Sequence, residues 1–164
     1  MSDALEEAVE RLRDGDAEGA LADLRVLATR EPLNADVHFQ IGQCLAALGQ
    51  FGPATVAYKM ALRQAPTFLG AWVQLGLCER ELGQLDDAIR SGEQALGLRD
   101  DDCDALHLLG VALAERGHEG DMRAAEAHLR RALRAPGMSA EARADAELLH
   151  QALRLKLTRG PAVN

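Results

Sequence analysis

The sequence predicts an all-α fold, a stack of helical hairpins, on three observations. Gly15, Gly49, Gly83 and Gly117 follow one another at intervals of 34 residues. The same step separates Gly42, Gly76 and Gly110, then Ala20, Ala54 and Ala88, and then Pro32 and Pro66. Within each period the apolar residues recur at helical spacing and do not alternate as a half-buried strand requires. Repetition at this period marks a stacked architecture in which each unit buries its apolar face against the next.

Each period divides into two antiparallel helices. In AWVQLGLCEREL, Trp72, Leu75, Gly76 and Leu82 share a face, and in LDDAIRSGEQAL so do Leu85, Ala88, Ile89, Ala95 and Leu96. The glycine of the 34-residue series falls just past the first helix, where a left-handed residue ends it. The interior glycine and alanine let the two helices approach closely. A proline near the end of the second helix stops it before the next unit.

The first repeat, about 1–34, keeps Ala20, Leu24 and Pro32 behind an acidic, degenerate first helix. The second, about 35–68, carries Ile41, Gly42, Ala54, Tyr58, Ala61 and Pro66, and the third, about 69–102, carries Trp72, Leu75, Gly76, Ala88 and Ala95. The fourth, about 103–138, keeps Leu109, Gly110, Leu113 and Gly117. It aligns further only if Ala125, Leu129 and Ala132 take the later places, so its turn holds about three extra residues. A last helix is expected over about 139–159, with Ser139 as N-cap and Gly160-Pro161 as the stop, leaving 161–164 as a tail. Its broad apolar face of Leu148, Leu149, Ala152, Leu153 and Leu155 covers the open end of the fourth repeat or serves self-association. Residues 1–160 are read as one domain.

These residues resemble the tetratricopeptide repeat, with its W-x-x-L-G-x-x-Y stretch, its A-x-x-x-F stretch, a later alanine and a proline in 34 positions. The third repeat departs from it with Glu79 at the tyrosine, Gly92 at the aromatic and Asp100 at the proline. The second has His38 at the tryptophan. The resemblance covers residues 1–136 and implies a right-handed α-solenoid of about four repeats with a C-terminal capping helix. It also implies a concave groove lined by the first helix of each pair. At the family's contact positions stand Leu5, Val9, Leu12, Phe39, Gln43, Val73, Leu77, Arg80, His107 and Val111, with Arg13, Asp36 and Glu81 among the charged residues at such positions. Some members clamp the carboxylate terminus of heat-shock chaperones with lysine, arginine and asparagine. This chain offers only Arg13 and Arg80 of that set, which argues against that ligand.

The 164 residues suffice for a sizeable core. With 26 acidic against 18 basic side chains the net charge is −8, and only 3% of residues are aromatic. No basic, aromatic stripe suits nucleic acid, and the charge disfavours anionic membranes. The acidic amino terminus is not a secretory signal, and no stretch is long and apolar enough for a membrane span, so a cytoplasmic location is expected. Two lysines against sixteen arginines in an alanine-rich chain suit a GC-rich genome, and the expected setting is bacterial.

Cys44, Cys78 and Cys103 form no closed disulfide set and are read as small buried hydrophobes. Asp100, Asp102 and Asp104 begin like a calcium loop, but Ala105 and Val111 stand where its glycine and glutamate belong, so helix capping is the better account. The five histidines lack i, i+4 pairing, and no phosphate loop or nucleophile elbow is present. No metal, cofactor or catalysis is expected.

The expected function is therefore a noncatalytic interaction scaffold that holds a peptide or helix with apolar anchors and basic flanks. One alternative is a chaperone of type III secretion translocators, which IGQCLAALGQF and LGLCERELGQL resemble. That group generally carries an extra amino-terminal segment and three repeats, whereas here a first repeat begins almost at Met1 and a fourth is present. The other alternative is a structural subunit that self-assembles through the last helix or the open end of the first repeat.

Overall fold

The computed structural model describes residues 3–159, and among these every regular element is helical. In chain order they are α1 (Asp3–Arg13), α2 (Ala17–Arg30), α3 (Ala35–Ala47), α4 (Phe51–Gln64), α5 (Leu69–Glu81), α6 (Leu85–Leu98), α7 (Cys103–Arg116), α8 (Asp121–Ala132) and α9 (Ala140–Arg159). The chain divides after Leu82 into two compact units. In the first, α1 packs on α2, α2 on α3, α3 on α4 and α4 on α5, while α3 also lies beside α1 and α5. In the second, α6 packs on α7, α7 on α8, and α9 on α8 and α7. The expected Gly160-Pro161 stop lies outside the described residues.

The turn glycines perform as the sequence requires. Gly15, Gly49, Gly83 and Gly117 all adopt positive φ, between 68° and 90°. At Gly49 the ending of α3 is a Schellman motif: the Gln50 N–H donates to the Leu45 carbonyl at 2.8 Å and the Gly49 N–H to that of Ala46 at 2.9 Å. Gly15 ends α1 with the same pair of bonds, from Asp16 to Arg11 and from Gly15 to Leu12.

Inside two of the hairpins, α3/α4 and α7/α8, a small residue faces a large one. A Cβ on Gly42 would lie 2.5 Å from Cε1 of Tyr58, whose side chain is fully buried. In the second unit a Cβ on Gly110 would lie 2.5 Å from Cγ of Leu129. Leu129 is three places beyond the strict period, so this contact confirms the lengthened turn. Ala54, Ala88 and Ala125 are buried in this register, as are Ala61, Ala95 and Ala132. Gly92 stands at the place of Tyr58, and Leu109 fills the room it leaves: a Cβ there would meet Leu109 Cγ at 2.8 Å.

The ends of the hairpins are tied by a second periodic contact. Trp72 Nε1 donates to the Pro66 carbonyl at 2.8 Å, and His38 Nε2 lies 2.8 Å from the Pro32 carbonyl. A carbonyl only accepts, so His38 carries its proton on Nε2. His38 thus replaces the expected tryptophan in function as well as in position. One period further on, Leu106 has no ring N–H, and the Asp100 carbonyl is instead met by Arg131 Nη2 at 2.5 Å.

The lengthened turn after α7 is organised by the buried Asp121. Arg116 donates to both its carboxylate oxygens, at 2.8 and 2.9 Å, and the His118 N–H donates at 2.9 Å. Arg116 also reaches Asp86 at 2.7 Å. These Arg116 hydrogen bonds hold Asp121 and Asp86 below the usual carboxylate range. The three cysteines are free and buried. Burial pushes the Cys44 and Cys78 thiols up to about 11 and the Tyr58 hydroxyl also upward, so both thiols stay protonated, weak nucleophiles at neutral pH.

Gly42→Ala pushes a methyl into the buried Tyr58 ring and is expected to cost about 1–3 kcal/mol in urea unfolding. Gly97→Ala, in α6 with nothing within 4 Å, stabilises by about 0.4–1 kcal/mol in the same measurement. Asp121 is held low in the folded state, so its contribution is complete above the unfolded carboxylate value near 4 and is lost as pH falls through the lower folded value. Melts between about pH 7 and pH 2 are therefore expected to show Asp121→Asn less stable at neutral pH, with a smaller loss on acidification than the wild type.

Candidate functional site

Among the described residues no three histidine, cysteine or acidic side chains converge as a metal site, and no helix is long and apolar enough to cross a membrane. Attention therefore falls on the first helices of the hairpins. In the first unit α1, α3 and α5 lie side by side, with α3 between the other two. Their periodicity sets equivalent residues in rows across the three helices.

One row runs through Val9, Gln43 and Leu77, and all three are half-buried. Leu12 and Arg80, nearer the helix C-termini, are half-buried as well. Arg80 pairs with the neighbouring Glu81 at 2.6 Å, which occupies one of the two arginines considered from the sequence. Arg13 and Asp36 are exposed.

The row of Leu5, Phe39 and Val73 behaves differently. Leu5 is 1% exposed and belongs to the core of the first unit, and Val73 is 4% exposed. Both are therefore corrected from contact residues to packing residues. A short aliphatic side chain at this level is closed over by its neighbours and leaves nothing for a ligand to touch. Phe39, in the same row, is larger and only half-buried. Its ring packs 4.6 Å from that of Phe68 and 5.7 Å from that of Tyr58, beside Gly70. In the second unit, His107 and Val111 are half-buried on α7.

Phe68 was not expected at the site, although a signal for it existed. It is the N-cap residue of α5, in a series with Asn34 before α3 and Asp102 before α7. Asn34 accepts from the Asp36 and Val37 N–H groups, and Asp102 accepts from Ala105. Phe68 makes no side-chain cap, and its half-buried ring lies against Phe39 instead. An apolar residue where its periodic counterparts cap a helix marks a place where local preference yields to another demand.

The tetratricopeptide repeat model matches residues 69–102. Residues 69–102 are a tetratricopeptide repeat. No curated protein matches the chain's sequence. Among solved structures, MamA residues 41 to the end from Desulfovibrio magneticus RS-1 is 20% identical, covering 97% of this chain and 94% of that one at a TM-score of 0.77. TTC0263, a thermophilic tetratricopeptide repeat protein of Thermus thermophilus, is 23% identical over 93% of this chain and 80% of its own, with a TM-score of 0.71. The second tetratricopeptide repeat domain of human RPAP3, in complex with the HSP70 peptide SGPTIEEVD, is 16% identical over 66% of this chain and 91% of its own, at 0.65. These likenesses place the chain in the all-α helical-repeat class. They speak to fold, and the side chains above carry the argument about function.

Proposed function

We propose that this protein is a noncatalytic scaffold that binds a peptide segment of another protein along α1, α3 and α5. The observation that carries the reading is the half-buried Phe39–Phe68 pair, in the helix layer that also bears the row Val9, Gln43 and Leu77. The peptide-bound RPAP3 domain supports the class of ligand, a short segment of a protein.

Its chemistry differs from that of an acidic chain terminus. The layer offers one exposed arginine, Arg13, and one paired arginine, Arg80, while Asp36 and Glu81 are exposed acids. A peptide with aromatic or aliphatic anchors and basic flanks fits this surface. Each buried anchor contributes about 1.5–3 kcal/mol before ordering costs, so two or three anchors give binding no tighter than about micromolar. In the second unit, taken by itself, the half-buried His107 and Val111 are candidate contact residues on α7. A net charge of −8 and an arginine- and alanine-rich composition support a cytoplasmic, bacterial setting for such a scaffold.

The cleanest test is Phe68→Asn. It supplies the missing cap, worth about 1 kcal/mol, but removes a ring that packs on the core of the first unit as well as on Phe39, so a net loss of about 1–3 kcal/mol in urea unfolding is expected. Partners are first obtained by affinity capture and mass spectrometry, and the interacting segment is titrated as a labelled peptide. Phe68→Asn and the double variant Phe39→Asp with Leu77→Asp are each expected to weaken binding at least about tenfold. Wild-type affinity in variants that retain their circular dichroism would sink the proposal.

A further inference from the structure

Helix α9 carries two apolar faces, and the fold uses one of them. Ala146 and Leu153 are buried in the core of the second unit, and on the same side His150 meets Glu126 at 2.9 Å and Arg143 donates to the Leu133 carbonyl at 2.9 Å. On the opposite side Ala144, Leu148, Ala152 and Leu155 form an exposed stripe, with Leu148 71% and Leu155 56% exposed. Their spacing of four, four and three residues, 11 over three turns, keeps them in one stripe along a nearly straight helix.

The charges beside the stripe say what covers it. At about 100° per residue, Asp145 and Lys156 lie along one flank, and Glu147 and Arg154 along the other. On both flanks the acid is in the N-terminal half and the base in the C-terminal half. All four are exposed, and none makes an ion pair with a described residue.

We propose that α9 pairs antiparallel with α9 of a second copy of this chain, about a two-fold axis between Gln151 and Ala152. Leu148 then packs against the partner's Leu155, and the small Ala152 lets the helices approach at the centre. An antiparallel two-fold brings each flank against itself, reversed. Asp145 therefore meets the partner's Lys156, and Glu147 meets the partner's Arg154, each offset by about one half-turn of helix along the axis. The symmetry repeats both pairs, giving four. A parallel pair would set acid beside acid and base beside base. The stripe and its charges are independent of the peptide surface on α1, α3 and α5.

Sedimentation equilibrium of the full chain across micromolar to submillimolar concentrations tests this. The wild type is expected to pass from one to two chain masses, and Leu148→Glu with Leu155→Glu to remain at one with unchanged circular dichroism. Two charge variants, Asp145→Lys with Glu147→Lys and Arg154→Glu with Lys156→Glu, are each expected to lose self-association and to recover a two-chain mass when mixed. A wild type that stays monomeric overturns the proposal and leaves the seam to a helix of another protein. A dimer that survives the leucine substitutions, or charge variants that dimerise alone as well as the wild type does, overturns it too.

Discussion

The structure depends on how closely two helices of a hairpin approach, and that distance is set by pairing a residue of almost no volume with one of large volume. Gly42 receives the Tyr58 ring and Gly110 receives Leu129. With these contacts made, the small residues Ala54, Ala61, Ala125 and Ala132 are buried on the facing helices. Interiors are packed too densely for the interval between such helices to adjust by even a methyl group. The rule concerns volume and not residue type, and Gly92 illustrates this: where the tyrosine is replaced by glycine, Leu109 takes the vacated space.

The hairpin ends follow the same logic with hydrogen bonds. A carbonyl six residues before the first-helix ring accepts a side-chain N–H, at the surface for Pro66 and partly covered for Pro32. The indole of Trp72 and the imidazole of His38 supply one at the same distance. When Leu106 cannot, Arg131 approaches from α8 and supplies it to Asp100. Side chains of unlike chemistry hold one place because the backbone asks only for an N–H.

These regularities explain what was legible in the sequence. Glycine periodicity, alanine positions and the three-residue slip before Ala125 all concern backbone conformation or volume, which residue identity encodes directly. The capping role of Asp102 and Ser139 was legible for the same reason: the bonds from Ala105 and Ala142 are local. The contact surface was legible only in part. Leu5 and Phe39 hold the same place in neighbouring repeats, yet one is buried and the other only half-buried, because exposure depends on the size of the side chain and on what closes over it. Phe68 has no signal in the helix interiors; its signal is an absent cap at the helix start.

That absent cap also separates scaffold from function. Asn34 and Asp102 contribute about 1 kcal/mol each where Phe68 contributes none as a cap, and stacking on Phe39 returns a similar amount. The ring also packs against the core of the first unit, so phenylalanine there serves packing as well as the surface. A helix start is a place where a repeat protein can vary its chemistry cheaply, since neither the helix spacing nor the proline carbonyl bond depends on it. The turn after Gly117 is a second such place, where Arg116 and Asp121 hold three additional residues without disturbing Gly110 against Leu129. Departures of this kind, which leave packing intact while altering what solvent meets, are where one repeat acquires a surface that its neighbours lack.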